Sequence, residues 1–266
     1  MVKYKLATRG SRDRSRSGTS LGPRSAILAL TVFIAAGWST PTLAADYSKM
    51  APLAQYLSAD RSREVALARS AAPKSIADHA TILTLGKDGY ETAVQGRNGF
   101  VCFVQRSWAN DFDIGSQFWN PRIRTPQCWN AAAVSSLLQD YLNRTKWVLA
   151  GASKEEMLAR TKAEFANHEV GPPAPGSMAY MLSKDQYIND PSPTDGPSNW
   201  YPHVMFFVPT TDGAPWGANA PGGPILSGSS HVEPVTTYFL LVPTWSDGSP
   251  GPYATKPDKA KKHHHG

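Results

Sequence analysis

The stretch from Ala80 to Cys128 sets the tightest limits on the fold. It places short β-branched and aromatic runs between turn dipeptides and holds both cysteines of the chain. Lys87-Asp88-Gly89 and Arg97-Asn98-Gly99 each carry a dipeptide suited to a two-residue hairpin, because Asn, Asp and Gly reach positive φ most cheaply. The flanking runs, Thr81–Leu85, Tyr90–Val94 and Phe100–Gln105, have strand length and composition. Two successive hairpins predict a three-stranded meander. The third run is apolar on both faces, with Phe100, Cys102 and Val104 on one and Val101 and Phe103 on the other. That pattern suits a strand covered on both sides and central in its sheet. The second run, with Glu91 and Thr92, suits a more exposed strand.

Cys102 lies in the third run. Cys128 follows a loop rich in aromatics and prolines, among them Trp108, Phe112, Phe118, Trp119, Pro121 and Pro126. The two cysteines either pair or remain buried thiols. Neither has the oriented base that a nucleophilic cysteine needs.

The N-terminus decides between these alternatives. Residues 1–45 begin with a basic region, Lys3, Lys5, Arg9, Arg12, Arg14, Arg16 and Arg24, followed by the apolar run Ala26–Ala36. Small residues at Thr42-Leu43-Ala44 and Leu43-Ala44-Ala45 then offer a cleavage site. This is the pattern of a secretory signal peptide, with a mature start at Ala45 or Asp46. Its apolar run is too short for a membrane-spanning helix. It holds no Arg-Arg pair, so the general secretory route is expected, ending in the periplasm or outside the cell. Oxidising compartments favour disulfides, so a Cys102–Cys128 bond is expected. Closing a loop of 26 residues, it contributes roughly 3 kcal/mol by the chain-entropy model.

The same segment removes a misleading signal. The chain carries +6 and a pI near 9.3, but residues 1–45 hold seven basic residues against Asp13 alone, so the rest is neutral. No basic stripe with interleaved aromatics remains, and nucleic acid is not an expected partner.

Residues 46–252 have the length of one globular domain, and 253–266 form a Lys- and His-rich tail expected to be disordered. Asp46–Ala72 reads as helical, with Ser48 and Asp60 as candidate N-caps and Pro73 as its end. Asn130 caps a second helix whose Val134, Leu137, Leu138, Tyr141 and Leu142 share a face. Gly151 ends it, and Ser153 to Glu156 is a capping box opening a third, with Met157, Leu158, Thr161 and Phe165 inward. Beyond Gly171, Pro, Gly, Ser and Asp separate three strand-like runs, Met178–Leu182, His203–Val208 and Val235–Val242. The expected fold is a single α+β domain in which antiparallel sheet, a meander plus C-terminal strands, packs on helices and is stapled by one disulfide.

Several segments of this body, GYETAVQGRNGFVCFVQRSW, FWNPRIRTPQCWN, PHVMFFVP and TTYFLLVPTWSDG among them, resemble a family of exported bacterial proteins of unknown function. The resemblance spans about Arg61 to Gly248. It implies export and a single domain, and brings no activity and no functional residue with it.

Candidate chemistry is sparse. His231-x-Glu233 with His203 could supply a metal or hydrolase site, but no HExxH or CxxC motif fixes the spacing, and no metal is assigned. Asn110, Asp111 and Asp113 lack the calcium-loop pattern. Ser227-Gly-Ser-Ser-His231 lacks a nucleophile elbow and reads as a Gly/Ser loop. No phosphate-cradling or other cofactor motif occurs. What remains is aromatic: Trp200, Tyr201, His203, Trp216 and Trp245 gather in the C-terminal third, a composition suited to holding a small molecule or cell-envelope component. The alternatives are an extracytoplasmic hydrolase using His203, His231 and Glu233, or a non-catalytic envelope interaction protein. An enzyme should bring those three together in a cleft. A pocket binder should form an open aromatic cavity, and an interaction protein should expose an apolar patch.

Overall fold

A computed structural model describes residues 47–112, 117–191 and 199–252. Eight strands form one sheet: β1 (Thr81–Gly86), β2 (Gly89–Val94), β3 (Val101–Gln105), β4 (Thr125–Trp129), β5 (Met178–Met181), β6 (His203–Pro209), β7 (Ile225–Ser229) and β8 (Val235–Leu241). Their order across the sheet is β2-β1-β3-β4-β5-β6-β8-β7. Every neighbouring pair is antiparallel except β1 with β3. Four α-helices, α1 (Arg61–Arg69), α2 (Lys74–Ala77), α3 (Ala131–Leu149) and α4 (Lys154–Ala166), complete a single α+β domain.

The expected meander is corrected at its second turn. β1 and β2 form the predicted hairpin, Leu85 facing Tyr90, but Arg97-Asn98-Gly99 does not return the chain alongside β2. The connection instead crosses the start of β1, and β3 pairs with β1 in parallel, Thr81 with Val101 and Ile82 with Cys102. The Asn98 carboxamide holds this crossing, accepting from the Phe100 amide at 3.1 Å and donating to the Ile76 carbonyl at 2.9 Å. Gly96 is needed there, because a Cβ would lie 2.1 Å from the Thr81 amide nitrogen. The physical reason is burial. A meander would put the polar β2 between two strands, whereas the observed order leaves its exposed Glu91 and Thr92 at the edge and makes the doubly apolar β3 central.

Cys102 and Cys128 stand directly opposite each other in the β3–β4 ladder and are bonded, both with no exposed surface. They face α1 and α2 in a cluster with Ala68, Ala77, Ile82 and Val104. The other face of the sheet meets α3. There Ala133, Leu137 and Leu138 pack against Phe103, Trp129, Ala179, Met205 and Phe207. A third cluster collects the aromatics of the β3–β4 loop, Trp108, Phe112, Phe118 and Trp119, with Tyr56, Val148 and Met157.

The predicted caps hold in part. Asp60 accepts from the Ser62 amide, Asn130 from the Ala133 amide, and Ser153 with Glu156 forms the reciprocal box. The segment before Asp60 is not a continuous helix: it has only a 3₁₀ turn at Leu53–Gln55, and Ser48 caps nothing helical. Pro73 both ends one helical segment and precedes the next, α2.

Two strands escaped the pattern. β4 contains Pro126, tolerated because β5 pairs only with Cys128 and Trp129 and leaves Pro126 beyond its ladder. β7 is Ile-Leu-Ser-Gly-Ser, the segment expected to be a loop. Its extended form comes from pairing with β8 along its whole length. Among the described residues no helix is long and apolar enough to cross a membrane. Residues 1–46, and with them the predicted signal peptide, lie outside the described residues, as do Asp113 of the rejected calcium pattern and the tail from 253.

Candidate functional site

The five aromatic candidates divide into separate places. Trp200, Tyr201 and His203 cluster at the start of β6, the Trp200 ring 4.7 Å from His203 and 5.5 Å from Phe239. Trp245 is buried in the turn after β8, where its amide donates to Ser249. Trp216 lies elsewhere, on a short 3₁₀ turn (Ala214–Trp216) against Tyr238 at 5.4 Å. Tyr238 and Phe239 are consecutive on β8, so Trp216 and the Trp200–His203 group sit on opposite faces of the sheet.

His203 is fixed in one protonation state. Its Nδ1 lies 2.7 Å from the Tyr201 carbonyl, which can only accept, so Nδ1 carries the hydrogen. Nε2 is then a bare lone pair with no partner among the described residues, in a buried ring packed against Trp200 and Phe239. Burial holds the imidazole pKa down at about 4, against the smaller opposing effect of the Tyr201 bond. A ring so enclosed presents no nitrogen to a substrate.

Glu233 is equally committed. It pairs with the fully buried Arg144 of α3, which also holds Asp140 at 3.1 Å and the Asn110 carbonyl at 3.3 Å, and stacks over Phe112. Burial, countered by Arg144 and reinforced by Glu233 and Glu164, pushes the Asp140 carboxyl up to about 7. His203 opens β6, while Glu233 precedes β8, whose Val235 faces Pro209 at the far end of β6. Six residues of strand separate them by roughly 20 Å. The hydrolase set is therefore not assembled, and no group of three His, Cys, Asp or Glu among the described residues could hold a metal.

Sequence reasoning missed two further ionic ties, one buried and one partly exposed. Arg106 Nη2 donates to both carboxylate oxygens of Glu64, each at 2.9 Å, while Glu64 also accepts from the Leu85 amide. Asp190 accepts from Tyr47, Tyr187, Asn120 and Arg122. Burial works to raise its pKa, but those donors together hold it below the usual carboxylate range. Each joins distant segments and leaves its charged groups paired, so these are internal ties of the fold.

The feature open to a partner is the face of β6, β8 and β7 opposite α3. Registered pairs place Phe206 beside Tyr238 and Val204 beside Leu240 there, with Ile225 next in line. The α1–α2 layer covers this face at β1, β3 and β4 only, its cluster ending at Tyr180 of β5. Phe206 is 42% exposed and Trp216 64%, the two large apolar side chains exposed among the described residues. Tyr238 neighbours both, but is itself buried, and donates to the Asp212 carbonyl at 3.3 Å. Phe206 and Trp216 are thus two exposed rings beside the buried Tyr238, on a sheet face that the loop carrying Trp216 covers in part. Two shallow cavities, of about 490 and 270 Å³, are lined by other residues, one around Phe118 and Lys154 and one around Glu64 and Arg124. Of the two exposed rings, only Trp216 was a candidate from the sequence. Phe206 was hidden in an unbroken apolar run, where alternation gives no sign of which side lies open.

Comparison with known proteins found no matching protein family, no matching curated protein and no matching solved structure.

Proposed function

We propose that the protein is an exported, non-catalytic binding protein that holds a cell-envelope glycan on the open face of β6, β8 and β7. The observation that carries this reading is the pair of exposed rings, Phe206 and Trp216, each beside the buried Tyr238 on a face that no helix among the described residues covers. Flat aromatic faces stack on the C–H faces of sugar rings, and an open sheet admits an extended polymer where a closed pocket would not. Exposed apolar side chains grouped on one face mark interaction surfaces more often than chance exposure. Export rests on the basic and apolar segments of residues 1–45, on the disulfide and on the family resemblance.

The test is co-sedimentation of the mature chain with purified peptidoglycan sacculi, with chitin as a second polymer. Binding should fall about tenfold in Trp216→Ala and in Phe206→Ser, with near-UV circular dichroism unchanged. A wild-type protein that stays in the supernatant, or a Trp216→Ala variant that binds equally well, overturns the reading. Release of soluble sugar fragments would replace it with a hydrolase.

A further inference from the structure

We propose that Asn219 guards the outer edge of β7 against strand pairing with a second copy of this chain. β7 ends the sheet, so its residues present alternate backbone groups to β8 and to the outside. The Leu241 amide bonds to the Pro224 carbonyl, which sets the phase: 224, 226 and 228 face β8, and 225, 227 and 229 face outward.

Asn219 meets those outward groups. Its backbone amide donates to the Ile225 carbonyl at 2.9 Å. Its side-chain Oδ1 accepts from the Ser227 amide at 3.0 Å, and its Nδ2 donates to the Ser227 carbonyl at 3.2 Å. One carboxamide thus makes both bonds that the peptide of a neighbouring strand would make. The position needs φ of +61°, which asparagine tolerates better than most residues. The rest of the strap packs tightly, since a Cβ on Gly213 would lie 2.1 Å from Ser227 Oγ.

The opposite edge of the sheet is protected differently. β2 carries Glu91, paired with Arg61 at 3.3 Å, and Arg61 also donates to the Thr92 carbonyl. Charge at an edge discourages pairing. β7, Ile-Leu-Ser-Gly-Ser, has no charge, so without Asn219 it offers a neutral template. Antiparallel pairing of two β7 strands about a two-fold axis would close that edge in both copies.

The experiment is sedimentation velocity of the mature chain over a broad concentration range. The primary variant is Asn219→Gly, since glycine adopts the same φ while losing the side chain. Asn219→Ala is the second, should the glycine loosen the strap. Wild type should remain monomeric, and either variant with an intact near-UV spectrum should roughly double in mass as concentration rises. Adding Ser227→Pro, which removes an outward N–H without touching the β8 ladder, should restore the monomer. Both single variants staying monomeric overturns the proposal. So does association that survives Ser227→Pro, or a wild-type dimer.

Discussion

Arg144 on α3 and Glu233 in the turn before β8 meet as an ion pair, although 89 positions separate them. With Asp140 one helical turn away, the pair ties the C-terminal hairpin to the central helix. Removing the cation should be far worse than removing one anion, because it leaves the buried Asp140 and the half-buried Glu233 without their shared partner. Arg144→Met is expected to cost about 3–5 kcal/mol and Glu233→Gln less, since the amide still accepts a hydrogen bond. Urea denaturation of the three proteins measures this.

Two buried groups pull stability in opposite directions with pH. His203 is held neutral, its pKa about 4 when folded against 6.5 ordinarily, so between those values the unfolded chain binds more protons. Its contribution is complete above pH 6.5 and is lost as pH falls towards 4, about 3 kcal/mol in all. Asp140 is the reverse. Its folded pKa is raised, largely by burial, so the folded chain binds more protons between about pH 4 and 7 and stability falls as pH rises through that window. In the wild type the slopes offset. Asp140→Asn should expose a stability that climbs with pH over this range, and His203→Phe one that declines. Identical profiles for the two variants would refute the assignment.

The disulfide should behave as a buried bond. Intact mass should increase by two hydrogens on reduction, and reduction should need denaturant, since both sulfurs have no exposed surface. The Cys102→Ala/Cys128→Ala protein should lose roughly 3 kcal/mol of stability.

Gly96 tests the crossing of the chain over β1. Gly96→Ala places a methyl group against the Thr81 backbone and should destabilise by about 2 kcal/mol or more. Gly89→Ala, in the hairpin turn at φ +126° with open space around it, should cost less, about 1 kcal/mol. Equal losses in thermal unfolding would argue against the crossing.

What the sequence determined by itself was local or additive. Helix caps at Asp60, Asn130 and Ser153 were legible because capping involves residues two or three apart. The β1–β2 hairpin was legible from Asp88-Gly89, and the centrality of β3 from its two apolar faces. The pairing of Cys102 with Cys128 followed from their being the two cysteines of a chain expected to be exported. Tertiary structure alone decided which strand neighbours which. The Asn-Gly turn at 98–99 is compatible with a hairpin, yet burying β3 and leaving polar β2 at the edge favours the crossover. It also decided which side chains are available. His203, Glu233 and Trp245 look functional in the sequence but are enclosed or paired, while Phe206 looks like core and is exposed. Exposure depends on where the helical layer ends, a long-range packing outcome that no local spacing encodes.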